Sequence, residues 1–374
     1  MPGKLEPDIL KDKVLSFTGA LRDDLIVGGG VGEDAALIRV PEGILVAASD
    51  PVTGAGNNAG RLLVHINAND VACKGADPSW IIVTLIVPDK LGVKYIADVM
   101  NEIHGTCREL NIAVAGGHTE LTDRYEQPVL SATMLGMTRY ELSTKRIHEG
   151  DLILLTGHAG LEGMSIIADD RPDLFADIFT DEEMNVIRSW KNDLSVVKTA
   201  KILREFSHYM HDPTEGGLNG ALYETSRGCE MGIEFFDSLP VSELTLRASE
   251  RLHFDPMNLI SSGMLIAVIP PERINEAQES LRMNGIASCI AGKFVKGKGN
   301  RLNAHEGTST AERFIDGEES RLNTHEGTST AERFIDGEGN RLNTYEGTST
   351  TGRFVDEEEN MLSTHEELWG ILAL

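Results

Sequence analysis

The chain has few cysteines, and their spacing excludes two common uses of the residue. Its 374 residues include only four, Cys73, Cys107, Cys229 and Cys289, and none of them forms a C-x-x-C pair. The wide spacing argues against a zinc site and against a disulfide framework. We therefore expect each cysteine to be a small buried residue and not a nucleophile.

Basic residues and long apolar runs are also scarce. Lys and Arg number 34 against 59 Asp and Glu, which gives a formal charge of −25. Nucleic acids and anionic membranes select basic surfaces, so we expect neither as a partner. The longest apolar run, 80–88, is too short to span a bilayer, and the charged segment 1–15 lacks the hydrophobic region of a signal peptide. These features predict a cytoplasmic protein.

The stretch 62–78, LLVHINANDVACKGADP, is the part on which the functional argument depends. It begins as a helix in which Leu63, Ile66 and Asp70 follow i, i+3, i+7 spacing and share a face. A carboxylate on such a face needs water, a hydrogen-bond donor or a cation, because an unpaired buried charge is costly. A bound metal is the most specific of these three options. The alternative is that the helix ends near Asn69 and that Asp70 is solvated.

Glycines and acids mark the ends of two predicted strands upstream. Gly28, Gly29 and Gly30 precede Asp34 and an apolar run, and a returning strand ends at Asp50. Glycine lets backbone amides approach an anion closely, and an acid beside it can hold the cation that accompanies a phosphate. A flexible turn explains the glycines equally well.

A similar arrangement follows the next predicted strand, 111–114. We expect the sequence AGGHTE at 115–120 to break this strand and to place His118 and its neighbours at the carboxyl end, where ligands bind in α/β layers. A hydrogen-bonded structural histidine is the alternative for His118. Strands at 129–138 and 152–156 are predicted to complete the same sheet.

The second half contains the sequence HDPTEGGL at 211–218. Asp212 as N-cap and Glu215 three residues later predict a capping box, which explains these residues without a ligand. Gly216 and Gly217 would then lie in the first helical turn, where each costs about 1 kcal/mol relative to alanine. A close approach of another backbone segment, or a phosphate at the helix N-terminus, would account for both glycines.

Alternating strands and helices predict an α/β protein with two domains, 1–149 and 150–300. Residues 301–360 are three tandem copies of a 20-residue unit, followed by a tail at 361–374. Each copy offers few apolar side chains to bury, so we expect a surface extension without a core and without a catalytic role.

Five of these motifs, in this order, resemble the aminoimidazole ribonucleotide (AIR) synthetase superfamily, also called PurM-like. They are GEDAA at 32–36, the strand end at Asp50, HINANDVACKGADP at 65–78, AGGHTE at 115–120 and HDPTEGGL at 211–218. The superfamily includes thiamine-monophosphate kinase, selenophosphate synthetase and the hydrogenase maturation protein HypE. The downstream segments MGIEF and SSGMLIAV are similar to the HypE branch.

The resemblance implies a two-domain PurM-like fold. An N-terminal mixed-sheet domain binds ATP and pairs its sheet across a homodimer, and a C-terminal α/β domain completes a cleft for ATP and Mg²⁺. Carried over by motif, the implied metal ligands are Asp34, Asp50, Asp70 and Glu120, and the implied catalytic residues are Asp70, His118 and Asp212. The implied cofactor-binding residues are Gly28, Gly29, Gly30, Asn69, Gly116, Gly117, Thr119, Gly216 and Gly217.

The chain departs from the family pattern in two places. Many members have Gly-Asp-Thr where this chain has Gly117-His118-Thr119, so Glu120 is the candidate substitute or the metal is held differently. HypE proper ends in Pro-Arg-Ile-Cys, whose thiol carries a carbamoyl group, whereas this sequence ends Gly370-Ile-Leu-Ala-Leu374. Unless an internal thiol serves, we do not expect that chemistry on its own tail.

The leading hypothesis is an ATP- and Mg²⁺-dependent enzyme that phosphorylates an oxygen of a small substrate, as the product or to activate it for dehydration or ring closure. A second is a kinase of thiamine monophosphate. A third, from another class, is a nucleotide-binding partner without turnover that docks onto a maturation complex. The sequence does not identify the acceptor.

Overall fold

The computed structural model describes residues 3–4, 9, 11–27, 37–40, 43–52, 58–236, 239–297, 300–302, 313–315, 333–335, 341–344 and 371. It divides the chain into two compact units, Met1–Glu141 and Leu142–Leu374. The division lies a few residues before the boundary predicted at 149–150. Gly28, Gly29, Gly30 and Asp34 lie outside the described residues, as does most of the repeat region.

A five-stranded mixed sheet organises the first unit. Its strands are β1 (Gly3–Lys4), β4 (Ile44–Val52), β5 (Asp77–Pro88), β6 (Ala113–Thr122) and β7 (Val129–Thr138), in the order β1-β6-β5-β7-β4. A small antiparallel pair, β2 (Leu25–Val27) and β3 (Leu37–Ile38), adds Leu25 and Ile38 to a cluster around Trp80. The helices α1 (Ala59–Cys73) and α2 (Gly92–Glu109) pack on one face of this sheet.

Strand β6 does not end where the sequence predicted. The expected break at AGGHTE was wrong, because β6 stays paired in parallel with β5 through Gly116, His118 and Glu120. At Gly117 the two strands approach so closely that an added Cβ would lie 1.8 Å from the carbonyl oxygen of Val83. Glycine in a strand marks such an approach as well as a turn. The glycine pair therefore lies within a strand and not in a loop.

Helix α1 begins before the predicted start and continues past Asn69, so the alternative that it ends there was wrong. Its expected apolar face is also shifted. Leu63 is fully buried, whereas Ile66 and Asp70 are only partly buried. Leu62, Ile66 and Asp70 follow i, i+4 spacing and are all only partly buried, so Asp70 belongs to a more exposed stripe of the helix. The buried polar side chains of this helix are three others: His65, Asn67 and Asn69.

The apolar residues of 94–110 recur with a helical period, which predicts a helix with one apolar face, and α2 confirms it. Every side chain assigned to its apolar face is buried, namely Ile96, Val99, Met100, Ile103 and Cys107. Burial raises the pKa of the Cys107 thiol to about 12, and it does the same for Cys289 in the second unit. All four cysteines are free thiols. A thiol with so high a pKa is a poor nucleophile at neutral pH.

The second unit is built on a seven-stranded sheet. Its strands are β8 (Leu152–Thr156), β9 (Tyr209–His211), β10 (Gly232–Phe235), β12 (Leu265–Ile269), β13 (Ser288–Val295), β14 (Asn300–Leu302) and β15 (Arg313–Ile315), in the order β15-β14-β10-β13-β8-β12-β9. Strand β8 was wrongly expected to complete the first sheet. It is central here, because β12 and β13 pair with both of its edges.

The described residues of the second unit also form the helices α3 (Leu161–Asp170), α4 (Asp181–Ser189), α5 (Val197–Leu203), α6 (Gly217–Cys229), α7 (Glu243–Leu252) and α8 (Ile274–Met283). A third, small sheet joins β11 (Pro240–Ser242) to two short strands of the repeat region, β16 (Arg333–Ile335) and β17 (Arg341–Thr344). No helix in the described ranges is both long enough and apolar enough for a bilayer crossing.

Candidate functional site

Asn67 connects helix α1 to the strand that carries Asp50. Its side-chain oxygen accepts a hydrogen bond from the main-chain N–H of Asp50 at 2.9 Å, and its amide nitrogen donates to the carbonyl of the same residue at 3.3 Å. The same amide also donates to the carbonyl of Leu63 at 2.9 Å. Because Asn67 is fully buried, these bonds fix the end of β4 against the helix. The sequence-based predictions did not include Asn67, although an amide side chain inside an apolar helix is an unusual feature that indicates a buried polar contact.

Asp50 and Asp70 both have partly buried side chains on these two elements. Asp70 is one turn beyond Asn67 on α1, and Asn69 beside it is fully buried. The structure therefore brings the Asp50 main chain to the helix that carries Asp70 and Asn69. Mg²⁺ takes oxygen ligands, so Asp50 and Asp70 stay candidate ligands for this ion.

His65 occupies an apolar position on the same helix. It is only 3 % exposed, and neither ring nitrogen has a hydrogen-bond partner among the described residues. Burial, with a smaller contribution from the charge of Arg61, lowers the pKa of His65 from 6.5 to about 4. A histidine in this position is neutral at physiological pH.

The depressed pKa of His65 makes stability depend on pH. Between about pH 6.5 and pH 4 the unfolded chain binds a proton at this position that the folded chain does not, so the free energy of unfolding falls as pH falls. We expect the wild-type protein to lose about 2 kcal/mol between pH 7 and pH 5 from this residue. Urea unfolding at the two pH values measures the loss.

The matched variant is His65→Gln, which keeps a polar side chain but cannot titrate. Its own stability is expected to be lower at both pH values, and the difference between pH 7 and pH 5 is expected to be about 2 kcal/mol smaller than in the wild type. An equal pH dependence in both proteins would show that His65 is not buried in its neutral form.

His118 and Glu120 form a separate pair on β6. His118 Nε2 lies 3.1 Å from Glu120 Oε2, and both side chains are partly exposed. Residues directly opposite each other in paired strands share a face. Across β4, β7, β5 and β6, Asp50 is in register with Ala132, Val83 and Gly117, so these four residues share one face. One residue further along β4, Pro51 is in register with Ser131, Thr84 and His118, which share the other face.

His118 and Glu120 therefore lie on the other face of the sheet from Asp50, with β5 and β7 between their strands. Neighbouring strands are spaced about 4.8 Å apart, so three spacings separate the two positions by about 14 Å. Within one chain the structure does not bring Glu120 to the ion that Asp50 would hold. Thr119 is buried on the opposite face of β6 from His118.

Asp212, Gly216 and Gly217 lie in the second unit, and the capping box predicted for them was wrong. Helix α6 begins at Gly217, its N-cap is Gly216 with φ 81°, and no side chain caps it. An added Cβ at Gly217 would lie 2.4 Å from the carbonyl oxygen of Met257. Of the two explanations for the glycines, close backbone approach thus accounts for Gly217 without a ligand.

Asp212 is instead part of a buried acidic group that includes Glu162, in the first turn of α3. Asp212 is 1 % exposed and Glu162 is 4 % exposed. Burial raises the pKa of Glu162, the nearby Ser262 opposes the rise, and the charges of Asp212 and Glu215 add to it. A raised pKa extends the pH range in which the Glu162 carboxyl is protonated. Glu162 was missed, although an acid within the apolar run Leu161–Ala168 was the available signal.

The chain matches two family descriptions in sequence order. Residues 32–138 match the AIR synthase related protein, N-terminal domain, and residues 148–305 match the AIR synthase related protein, C-terminal domain. Together the two matches cover most of the chain and agree with the two units of the fold.

Curated relatives share about a quarter of their residues with this chain. A putative hydrogenase expression/formation protein of Methanocaldococcus jannaschii is 27 % identical over 296 residues, which cover 75 % of this chain and 84 % of the relative. The carbamoyl dehydratase HypE of Azotobacter vinelandii is 28 % identical over 294 residues, which cover 75 % and 82 %.

Solved structures share the fold at lower identity. The hydrogenase maturation protein HypE in complex with ATP has a TM-score of 0.68 at 22 % identity and covers 85 % of this chain and 96 % of its own. A HypE–HypF complex has a TM-score of 0.63 at 23 % identity, with 76 % and 93 % covered. A thiamine-monophosphate kinase from Stenotrophomonas maltophilia has a TM-score of 0.66 at 20 % identity, with 81 % and 98 % covered.

Proposed function

Because this chain belongs to the AIR synthase related family, we propose that it is an ATP- and Mg²⁺-dependent enzyme that phosphorylates an oxygen of a small substrate. The observation that carries the proposal is the pair of hydrogen bonds between the Asn67 side chain and the main chain of Asp50. They hold an acidic strand end against the helix that presents Asp70. Phosphoryl transfer requires mainly positioning and charge neutralisation, which this arrangement can supply.

The proposal assigns roles to the residues of the first unit. Asp50 and Asp70 would hold Mg²⁺, which when bound neutralises charge on the phosphate oxygens. Asn67 acts through Asp50 and is a positioning residue. Asn69, Gly116, Gly117 and Thr119 stay predicted nucleotide contacts, as do Gly28–Gly30 with Asp34 outside the described residues. His118 and Glu120 lie on the other face of the sheet, so they stay predicted site residues without a role at the ion that Asp50 would hold in the same chain.

For the substrate we propose a carboxamide, the class on which a carbamoyl dehydratase acts by name. ATP would phosphorylate the amide oxygen, and that oxygen would then leave with the phosphate while the nitrogen loses two protons. The products are a nitrile, ADP and phosphate, so the atoms balance as the loss of one water. Asp212 stays a predicted catalytic residue of the second unit.

An acceptor screen tests the proposed function. The full chain is incubated with ATP, Mg²⁺ and either an S-carbamoylated cysteine peptide or thiamine monophosphate, and ADP and the products are measured. Release of ADP with a thiocyanate product supports the dehydratase. Release of ADP with formation of thiamine diphosphate contradicts the dehydratase and supports a thiamine-monophosphate kinase. ATP binding in a thermal-shift assay without ADP release under either acceptor overturns the enzyme and favours a nucleotide-binding partner without turnover.

We also propose two assemblies for this chain. The face of the first sheet that carries Leu45 and Ile82 lies opposite α1 and α2, and these two side chains are 54 % and 38 % exposed. A second copy of the chain is the proposed occupant of this face, as the family resemblance implies. The fold similarity to a HypE–HypF complex supports a maturation protein as a further partner.

A further inference from the structure

Two histidines and an aspartate meet in the second unit, outside the residues assigned above. The potential ligand atoms of His148, Asp151 and His208 all lie within 4.8 Å of one another. Asp151 directly precedes β8 and His208 directly precedes β9, so two of the three residues are placed by the central sheet. His148 comes from the segment that leads into β8.

The buried carboxylate holds this cluster together. Asp151 has a side chain only 4 % exposed. Its Oδ2 lies 2.8 Å from His208 Nδ1 and accepts a hydrogen bond from the main-chain N–H of His148, also at 2.8 Å. The two imidazole rings are in edge-to-face contact, with centroids 5.2 Å apart.

The backbone around the cluster is also held at two points. The N–H of Phe294 donates to the carbonyl of Asp151 at 2.9 Å, and the N–H of His208 donates to the carbonyl of Val268 at 2.8 Å. Both contacts come from neighbouring strands or their ends. The cluster is thus built on rigid elements, which favours a defined ligand geometry.

We propose that His148, Asp151 and His208 bind a late first-row divalent cation such as Zn²⁺, Co²⁺ or Ni²⁺. Two imidazole nitrogens and one carboxylate oxygen suit these ions, whereas Mg²⁺ selects oxygen ligands alone. Ligands of tetrahedral Zn²⁺ lie about 3.3 Å apart, since each bond is about 2.0 Å. We expect side-chain rotation of His148, whose side chain is 69 % exposed, to bring the ligand atoms to this spacing. The exposed side leaves a fourth position open.

Titration of the full-length protein with ZnCl₂, followed by calorimetry, tests the site. One equivalent is expected to bind, and His148→Ala is expected to weaken that binding at least about tenfold. Because His148 is exposed, its replacement leaves the buried Asp151–His208 contact intact. Co²⁺ supplies a second readout: visible d–d absorption typical of a nitrogen-containing four-coordinate site is expected in the wild type and absent in His148→Ala.

Two further variants complete the test. His208→Gln can still donate to Asp151 and is expected to weaken Zn²⁺ binding as His148→Ala does. His253→Asn removes an exposed imidazole elsewhere, at a left-handed residue that asparagine tolerates, and is expected to bind Zn²⁺ as the wild type does.

The site is overturned if the wild type takes up no Zn²⁺, if His148→Ala binds it unchanged, or if the loss occurs in His118→Asn instead. Asp151 would then serve only to hold the His148 main chain and the His208 ring. None of these outcomes depends on ATP turnover, so the metal site and the proposed function fail independently.

Discussion

Replacing Asp70 with asparagine is expected to reduce ATP turnover at least about 100-fold, a loss typical of removing one preorganised electrostatic contact in an active site. The substitution keeps the size of the side chain and removes its charge. Because Asp70 is only partly buried near the end of α1, the fold is expected to tolerate the change. The measurement is ADP release in the presence of Mg²⁺ and whichever acceptor supports turnover of the wild type.

The expected loss arises because an amide oxygen is a weaker ligand than a carboxylate for a hard divalent ion. The dependence of thermal stability on Mg²⁺ and ATP is therefore expected to weaken in the same variant. This second readout separates the site from the reaction, since it needs no acceptor.

The matched control is Asp98→Asn, also on a helix of the first unit. Asp98 pairs with Lys94 on the exposed side of α2, and an exposed pair of this spacing contributes only about 0.3–0.5 kcal/mol. Wild-type turnover is expected in the control. Sedimentation and thermal unfolding of both variants should match the wild type, and turnover by Asp70→Asn at the wild-type rate would remove Asp70 from the site.

Replacing Gly117 with alanine is expected to destabilise the first unit by at least about 3 kcal/mol, the upper range for overpacking a tightly packed position. The new Cβ would lie 1.8 Å from the carbonyl oxygen of Val83 and 2.7 Å from its carbonyl carbon. Both are backbone atoms of the paired strand β5, so rotation of a side chain cannot relieve the contact. Urea unfolding of the two proteins measures the change.

Gly105→Ala is the contrasting control. Gly105 lies inside α2, and an added Cβ there meets no atom within 4 Å. Because alanine is the better helix former, this variant is expected to gain up to about 1 kcal/mol. Equal unfolding midpoints for Gly117→Ala and the wild type would show that β5 and β6 are farther apart than the structure has them.

Gly117→Ala also tests whether the glycine pair contacts phosphate. The family resemblance implies that Gly116 and Gly117 contact phosphate, whereas the structure explains Gly117 by strand pairing alone. A variant that folds at low temperature and still gains stability from Mg²⁺ and ATP would assign Gly117 to the sheet only.

Local patterns predicted many of the elements. The apolar face of α2 and the bounds of β7 and β8 follow from periodicity and turn residues, because each depends on neighbours within about one element. Two predictions from local patterns, the strand break at AGGHTE and the capping box at Asp212, were wrong for one reason. A Gly-Gly sequence favours a turn, as at AGGHTE, and Asp-Pro-Thr-Glu favours a helix start, but pairing with β5 and the approach of the 257–259 backbone override both.

At the candidate site, too, the local features were predicted and the distant contacts were not. Asp50 and Asp70 were selected because acids at strand ends and within apolar helices are unusual, and that signal is local. The contact that joins their elements was not predicted, because Asn67 reaches a main chain 17 residues away in sequence. Glu162 escaped notice for a similar reason, since its altered pKa arises from burial and from residues of two distant segments, 212–215 and 262.

By itself the sequence determined the family, through five motifs in a given order, and the alternation of strands and helices that produces two α/β units. Only the tertiary structure decided which sheet takes β8, that His118 and Glu120 lie on the opposite face from Asp50, and that His148, Asp151 and His208 meet. The reason is physical: motifs and periodicity are properties of adjacent residues, whereas strand partners, faces and burial depend on which distant segments pack together.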